Sequence, residues 1–216
     1  MFSGLISHVG RVAFVEPVIG GGIRLRVRAR EAIREGIGAK DSIAINGVCL
    51  TAVEVDDADV AFDVVPESVS RSALGSLRVG EPVNVELSLR LGDRLGGHLV
   101  YAHVDGTVAI VSDQPEGQGR RLWFERPPEL ARYIVEKGYV ALDGVSLTVA
   151  SAEGASFSVA MIPETTRRTA FAERKPGDRV NLEIDPIARY ALGATETYQA
   201  HSEGPTREEI EWAYEI

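Results

Sequence analysis

The chain is poor in cysteine and has no long apolar run. Its 216 residues contain a single cysteine, Cys49, which excludes an internal disulfide and a cysteine-based metal cluster. The first ten residues show neither the basic segment nor the apolar core of a secretory signal. No apolar run approaches the roughly 18 residues that a membrane-spanning helix needs. We therefore expect a cytoplasmic protein without a membrane partner.

Positive charge is also scarce. The chain has 23 Lys and Arg residues against 32 Asp and Glu residues, for a net charge of -9. A nucleic-acid-binding protein needs a basic face that displaces counterions, so we expect no nucleic-acid partner. The four histidines do not follow the spacing of a metal-binding motif, and we expect no bound metal.

An internal repeat dominates what is present. Gly47–Thr51 (GVCLT) returns 97 residues later as Gly144–Thr148 (GVSLT). At the same spacing PES recurs as PET at residues 66–68 and 163–165, and VNVE recurs as VNLE at residues 83–86 and 180–183. Two long copies are typical of a duplicated globular domain rather than of a solenoid.

The beginning of each half aligns at a slightly different spacing. His8–Val12 resembles Val104–Val108, 96 residues on, which sets Ser7 opposite His103. We place the internal boundary near Asp93–Gly97. The predicted domains are residues 1–96, residues 97–186 and a tail over residues 187–216, in line with ordinary domain sizes.

Most of both halves has the pattern of β-strands. Ile23–Arg28 and Val83–Leu89 alternate apolar and polar residues, while Val60–Val65 and Phe157–Ile162 are β-rich runs that end at a proline. Each half has about six such segments with closely spaced turns. The predicted fold is all-β, with two similar six-stranded antiparallel barrels and a C-terminal helix.

A few helices are expected outside the strands. Pro127–Glu136 starts with prolines and is followed by Gly138, and Arg30–Glu35 is its shorter counterpart. In the tail, Ile187–Leu192 follows a proline, and Thr206–Glu209 has the form of a capping box. A tail helix would pack either against the body or against another subunit.

Eight ordered pieces of the chain resemble riboflavin synthase. They cover about residues 1–190 and include the duplication. The pieces are Met1–Gly4, Asn46–Thr51, Gly96–His98, His103–Gly106, Lys137–Gly138, Asp143–Thr148, Ile162–Thr165 and Glu183–Asp185.

The resemblance implies a reaction without metal or cofactor. Two molecules of 6,7-dimethyl-8-ribityllumazine would exchange a four-carbon unit and yield riboflavin and 5-amino-6-ribitylaminouracil. It also implies a homotrimer with active sites between the N-terminal barrel of one subunit and the C-terminal barrel of the next. Association with lumazine synthase is a further expectation. The alternative is a non-catalytic, antenna-type protein that binds lumazine or flavin, but both repeat motifs and both histidines favour catalysis.

The resemblance also assigns catalytic residues. Cys49 would act as a nucleophile or proton donor, although a free cysteine is often only a small buried strand residue. His103 would shuttle a proton, since an imidazole titrates near neutrality. Lys137 would stabilise negative charge on the ring, and Asp185 would bind ribityl hydroxyls or accept a proton.

Ser146 and Thr148 complete the predicted catalytic set. They lie two positions apart on a strand and so share one face, where their hydroxyls could bind the ring or a water molecule. The residues predicted to bind substrate are Phe2, Gly4, Ser42, Val48, Thr51, Glu67, Ser68, Gly97, His98, Asp143, Ile162, Pro163 and Thr165.

The halves differ at a few of these positions. Cys49 corresponds to Ser146 and Asn46 corresponds to Asp143, and such differences could distinguish a donor site from an acceptor site. Phe2 is expected to stack on a ring. Tyr101 departs from the family pattern between the two histidines, where it could reshape the site.

Overall fold

The computed structural model describes the backbone of residues 1–202 and the side chains of residues 1–195. Residues 1–185 form one compact unit, and the segment from Pro186 onwards forms a second. The second unit begins with helix α4, Pro186–Ser202, which confirms the helix predicted after Pro186. The predicted capping box at Thr206–Glu209 lies outside the described residues. Among the described residues, no helix has the length and apolar character needed to cross a membrane.

The first half is a closed barrel of six antiparallel strands in the order β1-β2-β5-β4-β3-β6. Its strands are β1 His8–Pro17, β2 Ile23–Arg28, β3 Ser42–Ile45, β4 Val48–Val55, β5 Asp59–Val64 and β6 Pro82–Leu87. The second half repeats this order as β7-β8-β11-β10-β9-β12. Its strands are β7 Gly106–Glu116, β8 Gly119–Glu125, β9 Tyr139–Leu142, β10 Val145–Glu153, β11 Ser156–Met161 and β12 Arg179–Ile184. The predicted all-β double barrel is confirmed.

Alternation along the strands fills each barrel. In β2, Ile23, Leu25 and Val27 are at most 6% exposed. The arginines between them, Arg24 and Arg26, both pair with Glu54 on β4. Removing such apolar side chains from water is the main stabilising contribution. Each barrel has its own apolar core, one around Phe62 and the other around Phe124.

The predicted helix over Pro127–Glu136 is wrong. This segment contains tight turns and a short 3₁₀ turn at Ala131–Tyr133. Its backbone hydrogen bonds run from the N–H of residue i to the carbonyl of residue i−3. The Arg126 guanidinium also donates to the carbonyls of Ala131 and Ile134, at 2.7 and 2.9 Å. Arg126 thus stabilises turns that are tighter than those of an α-helix. The shorter counterpart is confirmed as helix α1, Arg30–Arg34.

Two short helices follow the strand-ending prolines. Helix α2, Pro66–Arg71, follows β5, and helix α3, Pro163–Arg167, follows β11. Proline is favourable at the first position of a helix because an N–H group at that position would have no partner within the helix. The predicted binding residues Glu67, Ser68 and Thr165 therefore lie on helical turns.

The barrels exchange short segments that we call the first strap, residues 2–5, and the second strap, residues 100–103. Phe2 and Val100 pair in both directions, with N···O distances of 2.8 and 3.0 Å. The Cys49 N–H of the first barrel donates to Ala102 of the second strap, at 2.9 Å. The Ser146 N–H of the second barrel donates to Gly4 of the first strap, at 2.8 Å. Each strap therefore covers the central β-strand of the other half's repeat motif.

Equivalent residues of the two straps, such as Gly4 and Ala102, lie 98 positions apart in the sequence. Val12 accepts from Gly80 in the first barrel, and Ile110 accepts from Gly177 in the second. The 96-residue alignment at the start of the halves is therefore wrong by two positions, and Ser7 does not correspond to His103. The first half has one more residue between Pro17 and Leu25 than the second half has between Pro115 and Leu122, which changes the spacing from 98 to 97. A short match such as His8–Val12 cannot reveal this difference.

A polar network joins the barrels at their matching turns. Asn84 donates its side-chain N–H to the Asp143 carbonyl at 2.9 Å. In the reverse direction, Asn181 donates to the Asn46 carbonyl at 2.7 Å. Asn46 and Asp143 have φ of 45° and 44° in two-residue hairpin turns, a conformation that asparagine and aspartate tolerate. A Cβ on Gly47 would lie 2.5 Å from the opposite turn, so the two turns pack directly together.

Candidate functional site

A pocket of about 350 Å³ opens beside β4 of the first barrel. Strand β4, helix α2 and the second strap each contribute to its wall. It is lined by Val48, Cys49, Glu67, Ser68, Arg71, Ser72, Ala102, His103, Val104 and Asp105. Five of these, Val48, Cys49, Glu67, Ser68 and His103, are sequence-predicted site residues. The structure therefore brings the candidate thiol and the candidate proton shuttle into one cavity.

Sequence reasoning missed Arg71 and Asp105 as pocket residues. Arg71 pairs with Glu67 one helical turn earlier, at 3.0 Å, and both side chains are largely exposed. Arg168 is its repeat counterpart and pairs with Glu164. That duplicated pair could have drawn attention to Arg71. Asp105 lies in His103–Gly106, one of the eight pieces that resemble the family, but no role was predicted for it.

Cys49 lies half-buried on β4. Burial raises the pKa of its thiol, against an opposing hydrogen bond with Ser42. A raised pKa keeps sulfur protonated near neutrality, whereas nucleophilic attack needs the thiolate. The environment therefore favours a proton-donating thiol over a nucleophilic thiolate. It also gives the predicted residue Ser42 a place beside the thiol.

His103 is exposed at the rim of the pocket. Its ring meets the Tyr101 ring edge-on, with centroids 5.9 Å apart. Its backbone N–H donates to the carboxylate of Glu183 at 3.2 Å. Tyr101, the residue that departs from the family pattern, thus packs against the imidazole.

A second group of predicted residues gathers around Ser146 on β10. The Ser146 hydroxyl lies 2.7 Å from Nδ1 of His98 and accepts the His98 backbone N–H at 3.2 Å. The His98 ring stacks on Tyr139, with centroids 5.1 Å apart. Burial lowers the pKa of His98, although the charge of Asp185 opposes this effect. The result is a neutral imidazole joined to a serine hydroxyl, which is suited to proton transfer.

The Ser146 group is closely packed because two glycines allow it. A Cβ on Gly97 would lie 2.2 Å from the Ser3 carbonyl oxygen and 2.8 Å from Ser146. A Cβ on Gly4 would lie 2.5 Å from Ser146, and Gly4 also has φ of 72°. The structure thus gives the predicted residues Gly4 and Gly97 the role of admitting backbone close to Ser146.

Two predicted binding residues are fully buried. The Phe2 ring fills the joint between the barrels with Ala44 and Val100, instead of presenting a face on which a ligand ring could stack. Asp143 is 0% exposed, and both its carboxylate oxygens have partners, Asn181 N–H and the Arg174 guanidinium. Their contacts support the joint between barrels, and their direct binding roles stay predictions.

The remaining predicted residues lie outside the pocket. Thr148 is exposed on the same face of β10 as Ser146, and Thr51 is exposed at the equivalent place on β4. Lys137 is 78% exposed at its side chain, with its ammonium 3.8 Å from Glu136. Ile162, Pro163 and Thr165 lie at the start of α3, which corresponds to the pocket wall formed by α2. Their binding and catalytic roles stay predictions.

Comparison with known proteins agrees with the duplicated fold. The Lumazine binding domain family matches twice, over residues 3–88 and 101–185. A solved structure of LumP in complex with riboflavin has a TM-score of 0.79 at 20% identity, and covers 85% of this chain and 99% of LumP. At this identity the likeness to LumP establishes the fold alone. The chain is thus of the double lumazine-binding-barrel class.

Curated relatives narrow the class further. The riboflavin synthase of Chlamydia pneumoniae is 40% identical over 202 residues, which cover 94% of this chain and 98% of that protein. The riboflavin synthase of Mycobacterium tuberculosis H37Rv is 43% identical, with 88% and 96% covered, and that of Schizosaccharomyces pombe is 37% identical, with 93% and 96% covered. The chain belongs to the riboflavin synthase family.

Proposed function

We propose that the chain is a transferase that converts two molecules of 6,7-dimethyl-8-ribityllumazine into riboflavin and 5-amino-6-ribitylaminouracil. The observation that carries this proposal is the duplication of a barrel site in which a protic side chain on the central strand, Cys49 or Ser146, is accompanied by a histidine. Two related sites suit a reaction whose donor and acceptor are the same molecule.

The substrate supplies most of the reactivity. The ring of one lumazine acidifies its C7 methyl group, and the resulting carbanion adds to a second ring, which is electrophilic. The protein therefore has to orient two rings, which in favourable cases lowers the barrier by about 7–11 kcal/mol. It also has to move protons at defined atoms.

The geometry suggests a division of labour between the halves. The neutral His98, bonded to Ser146, can accept a proton through the serine hydroxyl. The protonated thiol of Cys49, beside His103, can donate one on the pocket side. Glu67 and Ser68 on α2 would bind the ligand at the wall of the same pocket. These roles rest on the contacts around each residue.

We also propose that the working site lies between subunits. The Cys49 pocket belongs to the first barrel and the Ser146 group to the second, so two subunits could bring unlike sites face to face. A homotrimer, an association with lumazine synthase and a cytoplasmic location are parts of the same proposal. Light scattering tests the first part, and a fully active monomer would refute a shared site.

Turnover tests the reaction directly. Purified protein incubated with 6,7-dimethyl-8-ribityllumazine, without added metal or cofactor, should form riboflavin and the aminouracil in equal amounts. Chromatography with absorbance detection measures both. Solved structures of LumP contain riboflavin and the lumazine, so a binding-only function is the second candidate. Tight binding without either product would establish that candidate instead.

A further inference from the structure

Two buried glutamates lie outside the predicted site. Glu86 on β6 and Glu183 on β12 stand 97 residues apart, and each is only 4% exposed. Burying a carboxylate is costly unless hydrogen bonds satisfy its oxygens. Two such groups at equivalent places in both halves therefore require a structural or functional reason.

Glu183 binds the second strap through both carboxylate oxygens. Oε1 accepts the Tyr101 N–H at 2.8 Å, and Oε2 accepts the His103 N–H at 3.2 Å. Between these two residues, the Ala102 carbonyl accepts the Cys49 N–H. A carboxylate of the second barrel therefore fixes the segment that carries His103 into the pocket of the first barrel.

Glu86 does the same for the first strap. Its Oε1 accepts the Ser3 N–H at 2.7 Å and the Ser3 hydroxyl at 2.9 Å, and both its oxygens lie 3.1 Å from the Gly4 N. The Gly4 carbonyl in turn accepts the Ser146 N–H. The coupling is crossed, because each barrel's glutamate holds the backbone that covers the other barrel's site.

We infer that Glu183 is a positioning residue for the reaction, which sets the place of the His103 imidazole relative to the Cys49 thiol. Glu86 is its counterpart for Ser146. Neither carboxylate contacts the reacting atoms; each acts through the strap that it holds. The catalytic consequence rests on the proposed function, whereas the holding of the straps does not.

The charge state of Glu183 supports this role. Burial raises the pKa of Glu183 to about 7, and the nearby Asp105 carboxylate adds to the rise, while hydrogen bonds from the strap oppose it. The Cys49 thiol is the other titratable group on which its charge acts. Protonation of Glu183 turns one of its two acceptor oxygens into an O–H group, which can no longer accept a strap N–H in the same way. The carboxylate should therefore hold the strap most firmly above about pH 7.

Global stability should move in the opposite direction. Because the folded chain binds this proton more tightly than the unfolded chain, the contribution of Glu183 to the free energy of unfolding should fall as pH rises from about 4.5 to about 7. An ordering of the second strap that increases over this range would therefore be a local effect of Glu183. A merely structural role for Glu183 predicts that both quantities fall together.

Hydrogen exchange measured by mass spectrometry tests the crossed coupling. In Glu183→Gln, an amide group faces two N–H donors, and we expect Tyr101 and His103 to exchange roughly tenfold faster, with Ser3 and Gly4 unchanged. The matched variant Glu86→Gln should show the reverse pattern. Equal changes in both straps, or none, would overturn the proposal. If the glutamine variant does not fold, Glu183→Asp retains the charge but shortens the reach, and should loosen the same strap.

Kinetics then test the catalytic consequence. Glu183→Gln should lower kcat roughly tenfold with little change in KM, and should flatten the dependence of kcat on pH near 7. His103→Gln should lower kcat while the strap keeps its slow exchange. An unchanged pH profile in Glu183→Gln would refute the positioning role. If the wild-type chain forms no riboflavin, the proposed function fails, but the exchange pattern still decides whether the glutamates hold the straps.

Discussion

The two barrels share one topology but present their central strands differently. At Cys49 the strand faces an open pocket of about 350 Å³. At Ser146 the equivalent position is covered by Gly97, which packs closely against it, and by His98, which lies at hydrogen-bond distance. Duplication has thus supplied two similar strand positions, and the segments laid over them have made one accessible and the other a closely packed hydrogen-bonded pair.

The barrels differ again where they meet. In the first half, the side-chain nitrogen of Asn46 has no hydrogen-bond partner among the described residues, and Leu77 stands at the position equivalent to Arg174. In the other half, Asp143 and Arg174 form an ion pair of 2.8 Å whose carboxylate is 0% exposed. Burial raises the pKa of Asp143, although the Arg174 charge opposes this effect. A neutral arrangement and an ionic arrangement therefore serve equivalent places in one fold.

The largest predicted effect is on this ion pair. Asp143→Asn leaves the mostly buried Arg174 without its counter-charge, and breaking such a pair typically costs about 3–5 kcal/mol. We expect a loss of this size in the free energy of unfolding, measured by urea denaturation.

The double variant Asp143→Asn/Arg174→Leu is the matched control. It gives the second half the Asn46 and Leu77 arrangement of the first, and should recover most of the lost stability, since apolar replacements of buried ion pairs are often neutral. A double variant as unstable as the single one would mean that the halves differ in more than this pair.

A smaller effect is expected from exchanging chemistry at the central strands. Ser146→Ala removes the hydroxyl that bonds the backbone N–H and the ring Nδ1 of His98, and should lower kcat for lumazine turnover about 100-fold. Cys49→Ser retains a protic group in an open pocket, and should lower kcat only about tenfold. Saturation kinetics measure both, with the thermal midpoint as the control for folding. A larger loss at Cys49 would place the more demanding proton transfer in the first barrel.

The sequence predicted the fold well because the repeat and the strand alternation are local patterns. β2 matches its predicted bounds, and β5 and β11 begin and end within one residue of theirs. The helix over Pro127–Glu136 was wrong because tight turns, whose Ala131 and Ile134 carbonyls accept hydrogen bonds from Arg126 outside the pattern, compete with it. A propensity pattern carries no information about such competitors.

The site was predicted less completely. The resemblance placed Cys49 and His103 in one site, and the pocket agrees. It also assigned Phe2 and Asp143 to ligand contact, but both are buried at the joint between barrels. Glu183 was missed because its role depends on a strap from a distant part of the chain, and a buried carboxylate on a strand looks like any polar strand residue in sequence.

The smallest predicted effect is a loss of stability when Gly97, which packs over Ser146, is replaced. Gly97→Ala would place a Cβ 2.2 Å from the Ser3 carbonyl oxygen and 2.8 Å from Ser146, so the backbone would have to shift. Overpacking of this kind typically costs about 1–3 kcal/mol. Gly96→Ala is the matched control, because its Cβ would meet only the Leu5 side chain, which is 54% exposed and can rotate away. Thermal unfolding should separate the two variants, and equal stabilities would show that the second site is not more closely packed than the first.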